Sequence, residues 1–143
     1  MTIYIFRGLP DVWNKRHVLL YFTSPDLSNF FETVHAQYKV DDDDPNKGEW
    51  MVDQVHKRVQ WDESRTYLTH VNAGALVVSP GQEMMPVDII AATPIKNRPG
   101  DWNCQSFLYE GMQELVAQGY HGTEWYDWVE GEVMDRLLDT NVG

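Results

Sequence analysis

A single cysteine and five histidines carry the carbonyl chemistry available to this chain. Cys104 lies in Asp101-Trp102-Asn103-Cys104-Gln105-Ser106-Phe107, just after the break at Pro99-Gly100 and at the start of a helical apolar pattern. A helix N-terminus offers unpaired backbone N–H groups and the positive end of the helix dipole, and both favour thiolate over thiol. The position therefore predicts a nucleophile with a pKa below the ~8.5 of a free cysteine. Asp101 opposes that shift through its negative charge. The plain alternative is a small, buried, apolar cysteine.

A nucleophilic thiol needs a base. His17 opens the apolar stretch His17–Thr23, where a neutral imidazole can be presented at the end of a sheet. His35 falls on the polar face of the next alternating stretch and would orient or assist His17 if the two strands are neighbours. For each, the alternative is a hydrogen-bonded strand histidine. His56 and His70 also lie on candidate strands and His121 between two candidate helices, with nothing local to promote them. Asn103 and Gln105 flank the cysteine, so their side chains, with the Cys104 N–H, are the expected oxyanion donors.

Other chemistries lack their motifs. The chain has no Gly-x-x-x-x-Gly-Lys-Ser/Thr, Gly-x-Gly-x-x-Gly, Gly-x-Ser-x-Gly or His-Glu-x-x-His. One cysteine among scattered histidines lacks zinc-ligand spacing, and no metal or other cofactor is expected. An EF-hand begun at Asp42 would place Lys47 at the glycine position, so Asp41–Gly48 reads as a solvated turn.

The elements that must position these groups read as strands first and helices last. Met1–Arg7 alternates and stops at Gly8-Leu9-Pro10, and His17–Thr23 is apolar on both faces, as in a central strand. Phe30–Val40 places Phe30, Val34, Ala36, Tyr38 and Val40 mostly on one face and Thr33, His35 and Gln37 on the other. Trp50–Arg58, Tyr67–Ser79 and Met85–Thr93 are further candidate strands. Beyond Cys104 the period becomes helical through Phe107, Leu108, Gly111, Met112, Leu115 and Val116, with Gly119 placed to close the helix. A second helix starts near Thr123 and buries Trp125, Val129, Val133 and Leu137. The pattern predicts one α+β domain over residues 1–143, with an antiparallel β-sheet and C-terminal helices packed on it.

Composition bounds the partners. At 43% hydrophobic and 13% aromatic the chain is too apolar to be disordered, yet no apolar run approaches the ~20 residues of a membrane helix. A lone cysteine forms no internal disulfide and no Asn-x-Ser/Thr site occurs, which suits a reducing, cytoplasmic setting. The net charge of −11 disfavours nucleic acid and anionic lipid. The expected ligand is a small-molecule or peptide-like substrate, neutral or cationic, held against some of the six tryptophans and seven tyrosines; these rings could also all be core.

Strand His17, next-strand His35 and then Asn103-Cys104-Gln105-Ser106-Phe107 at a late helix start together resemble the circularly permuted papain-like (NlpC-type) superfamily. Its members include lecithin:retinol acyltransferase-like proteins, with a strand histidine followed much later by an Asn-Cys-Glu-His-Phe helix start. The chain also looks like small fungal proteins carrying an Asn-Cys-Gln motif. The resemblance implies Cys104 as nucleophile, His17 as general base and His35 as the third member. Two departures stand out: Gln105-Ser106 replaces Glu-His, and no C-terminal membrane anchor is expected. The functional expectation is a cysteine-dependent hydrolase or acyl/amide transferase acting on an ester, thioester or amide. The alternatives are a non-catalytic binding domain of the same fold and a biosynthetic cyclase that uses the pocket for acid/base chemistry.

Overall fold

Alternating side chains build a five-stranded antiparallel sheet in the computed structural model, which describes residues 1–44 and 46–139. Pro45, inside the expected turn, and residues 140–143 lie outside the described residues. The strands are β1 (Thr2–Phe6), β2 (His17–Thr23), β3 (Phe31–Val40), β4 (Gly48–Val55) and β5 (Tyr67–Asn72), arranged β4-β3-β2-β1-β5. Three helices follow: α1 (Met84–Ala91), α2 (Cys104–Ala117) and α3 (Thr123–Leu138). The fold is α+β, as the patterning predicts. None of the described helices is long and apolar enough to cross a membrane.

The two faces of the sheet have different cover. Ile3, Ile5, Val18, Leu20, Val34 and Ala36 share a core with Phe107, Leu108, Met112 and Leu115 of α2 and with Val129, Val133 and Leu137 of α3. On the opposite face Phe6, Leu19 and Tyr21 form a smaller cluster with Tyr4, Phe31, Trp61 and Tyr67. The segment after β4 closes that cluster through Trp61 Nε1 to Thr33 Oγ1 (3.1 Å) and Val59 N–H to Tyr21 Oη (3.3 Å).

Unequal pairing along β3 opens one end of the sheet. The β3–β4 ladder runs from Thr33↔Val55 to Val40↔Gly48. The β2–β3 ladder covers only Leu20↔Val34 to Thr23↔Phe31. The first three residues of β2 therefore part from β3, and the β3–β4 ribbon continues alone past the end of the sheet.

Two expectations are corrected. Met85–Thr93 is no strand: Pro86 sits in the first turn of α1, where its missing N–H costs no helical bond, and Val87 and Ile90 are spaced to bury one helical face. Ile90 packs against α2 where Gly111 has no side chain; a Cβ there would stand 3.1 Å from Ile90 Cγ2. The strand expected over Tyr67–Ser79 ends at Asn72, whose Oδ1 accepts the N–H of Gly74 (3.0 Å). Gly74 then turns the chain at φ +85°.

Candidate functional site

Cys104 is the first residue of α2, and its neighbours hold it there. Asn103 is the N-cap: its Oδ1 accepts the N–H groups of Gln105 (2.9 Å) and Ser106 (3.4 Å), while Ser106 Oγ accepts the Asn103 N–H (3.2 Å). This reciprocal capping box fixes the helix start to a fraction of a turn. Asn103 Nδ2 also donates to the Asn14 carbonyl (3.0 Å), and Gln105 Nε2 donates to the carbonyls of Trp13 and Arg16 (both 2.9 Å). The side-chain donors expected to face an oxyanion thus tie α2 to the segment that leads into β2. The Cys104 backbone N–H is the remaining donor of that expected set.

Arg16 is the hub of that segment. Although 6% exposed, its guanidinium donates to the carbonyls of Arg136 (3.3 Å), Leu137 (3.0 Å) and Asp139 (3.1 Å) at the end of α3, and to Asp11 Oδ1 (3.0 Å). Its carbonyl receives both Gln105 Nε2 and the Cys104 thiol, at 3.8 Å.

The expectation of a depressed thiol pKa is overturned. Cys104 is 8% exposed, and burial pushes its pKa above the ordinary value. The backbone N–H of Val18 on β2, and then those of Cys104 and Gln105 at the start of α2, pull the other way, and burial outweighs them. The helix start acts in the expected direction, but desolvation, which depends on tertiary packing, is the larger effect.

His17 and His35 meet because β2 and β3 pair as neighbours, and a further residue joins them. His17 Nε2 and His35 Nδ1 are 2.7 Å apart, and His35 Nε2 lies 3.1 Å from Asp53 Oδ2. An ionised Asp53 only accepts, so His35 carries its proton on Nε2 and accepts at Nδ1 from the Nε2–H of His17. Each bond fixes the next tautomer, and the acceptor lone pair emerges at His17 Nδ1. That nitrogen makes no hydrogen bond and is not among the fully buried unpartnered atoms. Burial, then the neighbouring His35, pushes His17 down to about 4. Burial also lowers His35, against the upward pull of Asp53. Asp53 escaped the sequence reading because its role rests on the pairing His35↔Asp53, which no local signal carries.

Cys104 belongs to the core cluster on the helix face, whereas His17, by alternation, shares the opposite face with Leu19 and Tyr21. The thiol hydrogen-bonds the Arg16 carbonyl rather than an imidazole. Both residues nonetheless line one cleft of about 1410 Å³ at the end of the sheet where β2 and β3 part. The remaining histidines have local partners: His56 Nδ1 with Glu32 Oε2 (2.5 Å), His70 Nδ1 with Tyr67 Oη (2.7 Å) and His121 Nε2 with the Ala75 carbonyl (2.8 Å). No known family model, no curated protein and no solved structure matches this chain.

Proposed function

We propose that the protein is a cysteine-dependent hydrolase or acyl/amide transferase in which Cys104 is the nucleophile and His17 the general base. The observation that carries this reading is the chain Asp53–His35–His17, whose one open acceptor, His17 Nδ1, belongs to a residue of the cleft that Cys104 also lines. Burial keeps both groups neutral at rest, a raised thiol beside a lowered imidazole, so the reaction begins from a thiol and an imidazole rather than from a stored ion pair.

The thiol must first leave the Arg16 carbonyl and meet His17 Nδ1 at the end of the sheet, and because the two residues start on opposite faces this takes a shift of the strand start at Arg16–His17 as well as rotation of the thiol. Such contacts commonly tighten only when substrate binds. Sγ then attacks the carbonyl carbon of an ester, thioester or amide as its proton passes to His17 Nδ1. The oxyanion is met by the Cys104 N–H at the positive end of α2. Collapse of the tetrahedral intermediate breaks the bond to the leaving group, which takes the proton from His17. Water, or an acceptor amine or alcohol, attacks the thioester with His17 again accepting a proton, and the released thiolate recovers it. His35 and Asp53 hold the tautomer and stabilise the imidazolium formed in each step.

A second reading, a binding domain of the same fold, draws on the buried thiol and its carbonyl partner. Hydrolysis of a panel of small esters, thioesters and amides by the wild type and by Cys104→Ala and Cys104→Ser separates the two. The catalytic reading expects turnover that both variants abolish and an acyl-enzyme adduct visible by mass spectrometry. Turnover indifferent to Cys104, or none across the panel, overturns it.

A further inference from the structure

The cleft beside Cys104 has one wall made of aromatic rings, and its construction specifies what the site takes. That wall is the part of the β3–β4 ribbon that runs on after β2 has separated. Tyr38 and Trp50 are register partners there, with ring centroids 5.4 Å apart at 64°. Trp50 meets Trp102 edge-on at 5.5 Å and 85°, and Trp102 meets Phe107 at 6.5 Å and 89°. The row runs from the core of α2 outward to Tyr38, which is 52% exposed.

Its inner end is fixed. Trp102 is buried, donates its Nε1–H to Glu110 Oε2 (2.5 Å) and lies under the Arg98 guanidinium at 5.1 Å. Its outer end depends on Gly48, where a Cβ would lie 2.7 Å from Cε1 and Cζ of Tyr38. The missing side chain lets the Tyr38 ring lie down on the ribbon and turn towards Trp50. Leu9, 99% exposed, and half-buried Ile95 also line the cleft. An edge-to-face row that stops at an exposed ring is preorganised to accept one more ring, because the next partner meets fixed quadrupoles and orders no protein side chain. The formal charges of Lys15 and Lys96 on the cleft offset those of Glu49 and Asp101, while Arg16 and Arg98 are paired with Asp11 and Glu110.

We infer that the acyl group delivered to Cys104 is a neutral aromatic one, seated against Tyr38 and Trp50 with its carbonyl at the start of α2. This rests on the catalytic reading above and deepens it by naming the substrate class. The probes are the N-acetylcysteamine thioesters of benzoic and heptanoic acids, which have equal carbon number and one leaving group.

Relative to the ratio of their uncatalysed hydrolysis rates, the wild type is expected to favour the benzoyl thioester by roughly tenfold in kcat/KM, the size of a favourable ring–ring contact. That ratio should collapse towards one in Trp50→Ala and Tyr38→Ala and persist in Trp50→Phe, which keeps a ring and guards against loss of the fold. Cys104-dependent turnover without a benzoyl preference, or a preference that both alanine variants retain, overturns the inference and leaves the hydrolase reading standing. Equilibrium binding of benzamide, read by tryptophan fluorescence, is measured in parallel. Binding lost in Trp50→Ala and Tyr38→Ala, without any thioester turnover, keeps the aromatic site and overturns the catalytic reading. Absence of both binding and turnover overturns the two together.

Discussion

At the scale of single residues, the histidines are distinguished by where they stand. His17 lines the cleft that Cys104 lines and passes its Nε2–H to His35, whereas His56, His70 and His121 are bonded to Glu32, Tyr67 and the Ala75 carbonyl away from that cleft. His17→Ala should therefore lower kcat/KM by roughly 10²- to 10⁴-fold, the span of positioned proton transfer, while alanine at 56, 70 or 121 has little effect. His35→Ala should fall between, and Asp53→Asn should follow it, since both act by holding the His17 tautomer. Protonation of His17 would remove the proposed base, and burial, then His35, pushes that protonation down to about 4. The acid limb of the rate profile should accordingly lie near pH 4 rather than near the ~6.5 of a free imidazole. A limb at the free value would show that His17 is more solvated than the structure has it. The thiol is governed by the same burial in the opposite sense, so alkylation of native Cys104 by iodoacetamide should rise with pH only above the free-thiol range. Rapid labelling at pH 6 would contradict this account of its desolvation.

The elements matter here through their ends. Asn103 caps α2 and also anchors Asn14, so Asn103→Ala should cost about 1–2 kcal/mol in chemical denaturation, with activity falling further than stability because Cys104 loses its fixed position. Arg16 joins the end of α3 to the start of β2, and Arg16→Met would leave three carbonyls at that helix end without their charged donor. A loss of roughly 3 kcal/mol is expected for that change, measured by the urea midpoint at constant slope. A midpoint within experimental error of the wild type would mean water replaces the guanidinium at no cost. These ends also mark the limit of what the sequence discloses. The alternation in Phe30–Val40 and the helical period after Cys104 are local signals, and both elements form where those signals place them. The approach of His17 to His35 follows from the two strands being neighbours, which hairpin proximity makes readable. Asp53 and the parting of β2 from β3 depend on register, and the bonds from the Arg16 guanidinium to the end of α3 span 120 residues or more. Met85–Thr93 misled because a short apolar run fits a buried strand as well as a helix, and packing of Ile90 against Gly111 decided between them.

For the molecule as a whole, acid acts in two opposing directions. The net charge of −11 implies mutual repulsion among carboxylates, which eases as pH falls towards the isoelectric point near 4.6 and stabilises the fold. His17 works against that trend. Its folded-state value of about 4 lies below the free value of 6.5, so between those limits the unfolded chain binds a proton that the folded chain refuses. Its contribution is complete above pH 6.5, declines as pH falls and is lost by about pH 4. A shift of that size corresponds to about 3 kcal/mol, at 1.36 kcal/mol per unit, whereas repulsion between solvated charges is screened within ~8 Å at physiological salt. The buried imidazole should therefore dominate once salt has weakened the surface term. At 0.5 M NaCl the unfolding free energy from urea titration should fall from pH 7 to pH 4 by about 3 kcal/mol more in the wild type than in His17→Gln. Equal slopes for the two proteins would place the acid sensitivity elsewhere and remove the buried, neutral state of His17 on which the proposed base depends.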